Sequence, residues 1–212
     1  MNRRAAGLPL FDHPGDFDAF ERVLAEARAR FGTRVCAYCL MGTHWHLVLW
    51  PHADGQLSEF VPWVSMTHGQ RWHAHRHSAG TGHIDQSRFK SFPIASDAHF
   101  LRVCRYLERN PLRAGLVTRP EAWRWCSLAC GADPRRAAEL LDPWPVGRGG
   151  PPTDWLDRIR TPQTGEELEA IRRCVARGQP YGPAAWVGQT ATKPGLESSL
   201  RPRGRPRKTP PG

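Results

Sequence analysis

His44 and His46 stand one residue apart at the head of an apolar run, GTHWHLVLWP (42–51), and Tyr106 and Asn110 stand four apart in CRYLERNP (104–111). Side chains alternate faces along a strand, so two histidines at i and i+2 point the same way and Trp45 points the other. Such a pair either holds one divalent ion or packs as ordinary hydrogen-bonded imidazoles, and spacing alone leaves both open. Positions four apart on a helix share a face. A tyrosine hydroxyl attacks a phosphodiester only where the phosphate is positioned and polarised, which a metal ion does. The amide oxygen of Asn110 suits a hard divalent ion such as Mg²⁺ or Mn²⁺. Alternatively, Asn110 simply ends a helix before Pro111.

These residues need elements to hold them. Residues 15–30 carry apolar residues at helical spacing (Phe17, Phe20, Val23, Leu24, Ala27), with Asp16 at the start and Gly32 as the stop. Residues 34–41 and 44–50 read as two strands joined by Gly42-Thr43, a β-hairpin. Residues 56–77 read as a helix with Leu57, Phe60, Val61, Val64 and His68 on one face, kinked or restarted at Pro62. Residues 88–95, RFKSFPIA, alternate like a further strand. Ser96 and Asp97 cap a helix that Pro111 closes. A Trp-rich segment with Trp123 and Trp125 follows, and these two are assigned to the core rather than to base stacking. Beyond residue 133, DPWPVGRGGPPTDW reads as a Pro/Gly linker, residues 164–177 as one more amphipathic helix, and RPRGRPRK (201–208) as a basic tail without apolar content.

The formal net charge of +10 in 212 residues favours a polyanionic partner. Six scattered cysteines make no zinc framework, and Cys36 and Cys39 lie in a run that reads as buried strand. Without a signal peptide or a long apolar span, the chain is expected to be cytoplasmic, nucleoid-associated, and not membrane-bound, with reduced thiols. The class is α+β, an antiparallel sheet covered by helices.

The string AYCLMGTHWHLVLWP, followed by SRFKSF, CRYLERNPLRAGLV and WRWCSL, resembles single-tyrosine HUH transposases, most closely the REP-associated tyrosine transposases (RayT). The resemblance runs over most of residues 8–130. It implies a ferredoxin-like antiparallel sheet with helices on one face and a truncated first strand, in a catalytic domain over 1–132. A Pro/Gly linker and helical extension over 133–200 and a tail over 201–212 would follow. It implies that His44, His46 and Asn110 bind Mg²⁺ or Mn²⁺, and that Tyr106 attacks single-stranded DNA to leave a 5′-phosphotyrosine link. The substrate would be a REP-type hairpin with single-stranded flanks, cut and rejoined by a monomer. Arg88, Lys90 and Arg113 would contact phosphates, and Arg203, Arg205, Arg207 and Lys208, around an AT-hook-like GRP, would contact DNA.

The sequence also departs from that pattern. Thr43 and Gly42 replace the Asn and Pro usual before the first histidine, and Asp85 and Ser87 replace an aromatic and a glycine. Only MNRRAA precedes the LPLF segment where relatives carry a strand, which predicts an open sheet edge beside the histidines. Two rivals follow: a domesticated or truncated hairpin-binding protein without catalysis, and a small metal-dependent hydrolase. The absence of an acidic ligand beside the H-x-H disfavours the hydrolase.

Overall fold

A computed structural model describes residues 2–3, 9–77, 89–193 and 196–200. Asn2–Arg3 (β1) leads to a helix, Pro14–Phe31 (α1), then to the hairpin of Arg34–Met41 (β2) and His44–Trp50 (β3), and on to Gln56–His75 (α2). Asp97–Glu108 (α3) and a short turn of helix, Asn110–Arg113 (α4), follow. The rest is helical: Ser127–Gly131 (α5), Pro134–Leu140 (α6), Trp155–Arg160 (α7), Gly165–Arg177 (α8) and Ala184–Thr190 (α9). The chain is α+β, and no helix among the described residues is long and apolar enough to cross a membrane.

The hairpin strands begin and end where the alternation predicts. The sheet runs β1-β3-β2 with antiparallel neighbours, and Cys39 lies opposite His46, Leu40 opposite Trp45 and Met41 opposite His44. Asp16 stabilises the start of α1 by accepting from the Asp12 and His13 N–H groups, and Gly32 ends it at φ 63°, where a Cβ would be strained.

Several expectations are corrected. Helices cover both faces of the sheet, not one. On one face Tyr38, Leu40 and Trp45 pack with Phe20 and Leu24 of α1 and Phe60 and Val64 of α2. On the other, Cys36, Cys39 and Val48 pack with Val103 and Leu107 of α3 and with Trp155 and Ile171 of α7 and α8. This is why seven consecutive residues of β2 are buried: a strand with helices on both sides has no solvent face. The second core also takes Trp144 and Val146 from the expected linker, and the Trp144 indole donates to the Cys36 carbonyl at 2.7 Å. The chain beyond residue 133 therefore shares a core with the hairpin.

The edge beside the histidines is not fully open. Arg3 pairs with His44 and Asn2 with Trp45, so a two-residue strand closes it at those positions. Of the expected strand 88–95, residues 89–95 form only an isolated bridge, Ile94 with Tyr181. Phe89 packs against the first core, whereas Phe92 and Ile94 pack against the second. Their alternation serves two cores rather than a strand ladder. Helix α2 continues through Pro62 without restarting. Pro111 does not close α3 either: it occupies the first turn of α4, where its missing N–H costs nothing, and the Arg113 N–H still reaches the Arg109 carbonyl at 2.9 Å.

Candidate functional site

Strand β3 aims His44 and His46 at α3. The Gly42-Thr43 turn is fixed from outside, because the Gly42 carbonyl accepts from the Leu10 and Phe11 N–H groups at 2.6 and 3.0 Å. Thr43 Oγ1 and His44 Nδ1 are 3.0 Å apart, a hydrogen bond that orients the first imidazole. The two imidazole centroids lie 4.9 Å apart with planes at 84°. His46 is only 8 % exposed. Burial holds its pKa well below the ordinary histidine value, and the charges of His44 and Arg113 push the same way, so the ring is neutral with a lone pair to give.

The tyrosine arrives from the facing helix. Phe100, Val103, Cys104 and Leu107 form the buried stripe of α3, and Tyr106 follows that stripe round to His46, ring centroids 6.4 Å apart and nearly perpendicular. Two arginines on the outer side of α3 hold it against the end of α7. Arg105 donates to the carbonyls of Arg158 and Thr161 at 2.7 Å each, and Arg109 donates to those of Ile159 and Arg160. These are the orphan carbonyls of a helix C-terminus, where guanidinium charge is favourable. On the inner side Glu108, 2 % exposed, accepts from Ser127 Oγ and from Trp155 Nε1. Burial pushes its carboxyl up to about 7 against the pull of those two donors. Neither set of contacts was readable from the sequence, since each joins residues about 19 to 57 apart in the chain.

Asn110 lies one turn past Tyr106 and is 8 % exposed. Its Oδ1 accepts from Arg113, whose guanidinium carbon lies 4.4 Å from the Tyr106 ring centroid. Asn110 Nδ2 and Arg113 Nη1 are buried without a hydrogen-bond partner among the described residues. Lys90, exposed, lines the same cavity of about 120 Å³ as His46 and Tyr106. The structure thus sets His46 beside His44 and Tyr106, and Arg113 against Tyr106 and Asn110, with Lys90 lining the cavity that His46 and Tyr106 share. Arg88, Arg203, Arg205, Arg207 and Lys208 lie outside the described residues, as do Asp85 and Ser87.

Trp123 and Trp125 are packing residues. The Trp123 indole donates to the Leu40 carbonyl at 2.9 Å, and Trp125 stacks on Phe17 at 4.2 Å while donating to Asp18. All six cysteines are free and buried.

The donor set fits a divalent ion. Two imidazoles share one face, and with Nδ1 of His44 bonded to Thr43 a cation would be met by Nε2. Among the described residues no group of three His, Cys, Asp or Glu side chains is gathered for a metal, and the Asn110 amide oxygen is held by Arg113. Comparison with known proteins finds no matching family model, no matching curated protein and no matching solved structure.

Proposed function

We propose that this protein is a metal-dependent single-stranded DNA endonuclease and strand transferase acting through Tyr106. The observation that carries the reading is the placement of a buried His46 next to the Tyr106 ring and beside His44, with Asn110 and Arg113 one and two helical turns past Tyr106. We read the order β1-α1-β2-β3-α2 as the first five elements of a ferredoxin-like β-α-β-β-α-β unit.

His44 and His46, with the Asn110 oxygen as third donor, would hold the cation, which supplies positive charge against a phosphodiester. Nitrogen donors favour Mn²⁺ over Mg²⁺, which prefers an all-oxygen shell. Tyr106 Oη attacks phosphorus, the bond from phosphorus to the 3′ oxygen breaks, and the 3′ oxygen takes up a proton as the phenol releases one to solvent. The product is a 5′-phosphotyrosine and a free 3′-hydroxyl. Because a phosphodiester-level bond is kept, a second 3′-hydroxyl can reverse the step and join a new strand. Arg113 Nη1, a buried donor without a partner among the described residues, would serve a non-bridging phosphate oxygen, and Lys90 the strand beyond it. REP-type hairpin DNA is the substrate class this reading carries, with a monomer acting in the cytoplasm at the nucleoid.

The engagement of Asn110 by Arg113 favours a second reading, a hairpin-DNA-binding protein with impaired catalysis. Incubation with labelled hairpin DNA and Mn²⁺, resolved on a denaturing gel, separates the two. The first predicts cleavage and a covalent adduct that Tyr106→Phe abolishes. Tight binding with no adduct in the wild type would leave the second.

A further inference from the structure

Asn110 is claimed twice. Tyr106, Asn110 and Arg113 fall on one helical stripe, and the Arg113 guanidinium closes over the other two. Its Nη2 donates to Asn110 Oδ1 and lies 3.5 Å from the Tyr106 carbonyl, while its carbon sits 4.4 Å from the Tyr106 ring centroid. This placement leaves Arg113 Nη1 and Asn110 Nδ2, in adjacent side chains, buried and unmatched among the described residues. Burying a donor without an acceptor is costly, so the arrangement is one that a phosphate oxygen would improve. A guanidinium and a divalent cation repel strongly at the few ångströms that sharing one amide oxygen would impose.

We propose that Arg113 is a built-in competitor of the cation at the His44–His46–Asn110 site. Without DNA it holds the Asn110 oxygen. A phosphodiester draws the guanidinium away, satisfies Nη1 and releases the amide oxygen to the cation. DNA and cation then bind cooperatively, each raising the affinity of the other by the same factor. The inference rests on the metal–phosphodiester reading above and adds a rule to it: the site takes up its cation fully only when a strand is present.

The test is calorimetric and is made on full-length protein carrying Tyr106→Phe, so that nothing is cut. Mn²⁺ is titrated with and without saturating single-stranded oligothymidylate. Arg113→Met keeps an unbranched side chain of similar length and removes the charge, with Arg113→Gln as the second neutral variant should the first fold poorly. Loss of the guanidinium should tighten Mn²⁺ binding without DNA by about tenfold, and oligothymidylate should give the parent a similar gain that shrinks in the variant. Adding Asn110→Ala should abolish the gain from Arg113→Met, because the competition runs through that amide. Unchanged or weaker Mn²⁺ binding in both neutral variants would overturn the proposal. So would a full gain that persists beside Asn110→Ala, which would mean that Arg113 acts only as a distant charge. Failure of every variant to bind Mn²⁺, with or without DNA, would overturn the metal-site reading as well.

Discussion

His68 lies on α2 facing α1, 5 % exposed, with its ring 5.0 Å from that of Phe20 and 5.5 Å from that of Phe11. Burial lowers its pKa from the ordinary 6.5 to about 4, opposed in part by Asp16. As pH falls below 6.5 the unfolded chain takes up a proton that the folded chain refuses until about 4. The contribution of His68 to stability is therefore fully present above pH 6.5, lost progressively as pH falls towards 4, and constant below. At about 1.4 kcal/mol per pH unit, the window of roughly 2.5 units is worth about 3 kcal/mol. His68→Leu removes the titration and keeps an apolar side chain of similar size against the two rings. Urea denaturation of both proteins from pH 7 down to 4 gives the difference directly, with the losses from His46 and the carboxylates cancelling between them. Wild type should lose about 3 kcal/mol more than the variant over that interval. Profiles that stay parallel within about 0.5 kcal/mol would refute the reasoning, because His68 would then be reaching water.

Three further outcomes follow from the packing. Asp142 accepts from Arg28 at 2.7 and 2.8 Å and from the Val35 N–H at 2.9 Å, so Asp142→Ala leaves Arg28 only the Ala138 and Glu139 carbonyls, strands a strand-end donor, and should cost about 2–3 kcal/mol in urea denaturation. Trp155→Phe removes one of the two side-chain donors to buried Glu108 and should cost about 1–3 kcal/mol, read as a lowered unfolding midpoint. A Cβ at Gly182 would meet the Ala95 side chain and lie 2.7 Å from the Trp186 ring. Gly182→Ala should therefore destabilise by about 1–3 kcal/mol through overpacking, visible as a drop in the thermal midpoint.

Local signals were legible where one residue type does one job. The hairpin, both ends of β2 and β3, and the placement of His44 and His46 opposite Trp45 follow from a period of two. The faces of α1 and α2 follow from a period near 3.6, with His68 on the apolar side. Where one pattern serves two purposes the sequence misleads. Phe89, Phe92 and Ile94 alternate because they feed two cores, and Pro-rich 143–152 reads as linker although Trp144 and Val146 are buried in it. Pro111 reads as a stop, yet it sits in a first turn that spares its missing N–H. At the site, residue types suggested His44, His46, Tyr106 and Asn110, and the structure sets His46 beside His44 and Tyr106, and Asn110 against Arg113. The contact of Arg113 with Asn110, and the clamp of Arg105 and Arg109 on α7, depend on side-chain geometry and on tertiary partners 50 to 57 residues away for the clamp.

The most direct test of Tyr106 as the nucleophile is mass spectrometry of the protein after reaction with hairpin DNA and Mn²⁺, followed by nuclease trimming and tryptic digestion. Trypsin cuts after Arg105 and Arg109, which isolates Tyr106 in a four-residue peptide. The account predicts that this peptide carries the mass of a nucleotide 5′-phosphate, lost in Tyr106→Phe. A nucleotide on any other peptide, or DNA cut with Tyr106 unmodified throughout the reaction, would contradict it.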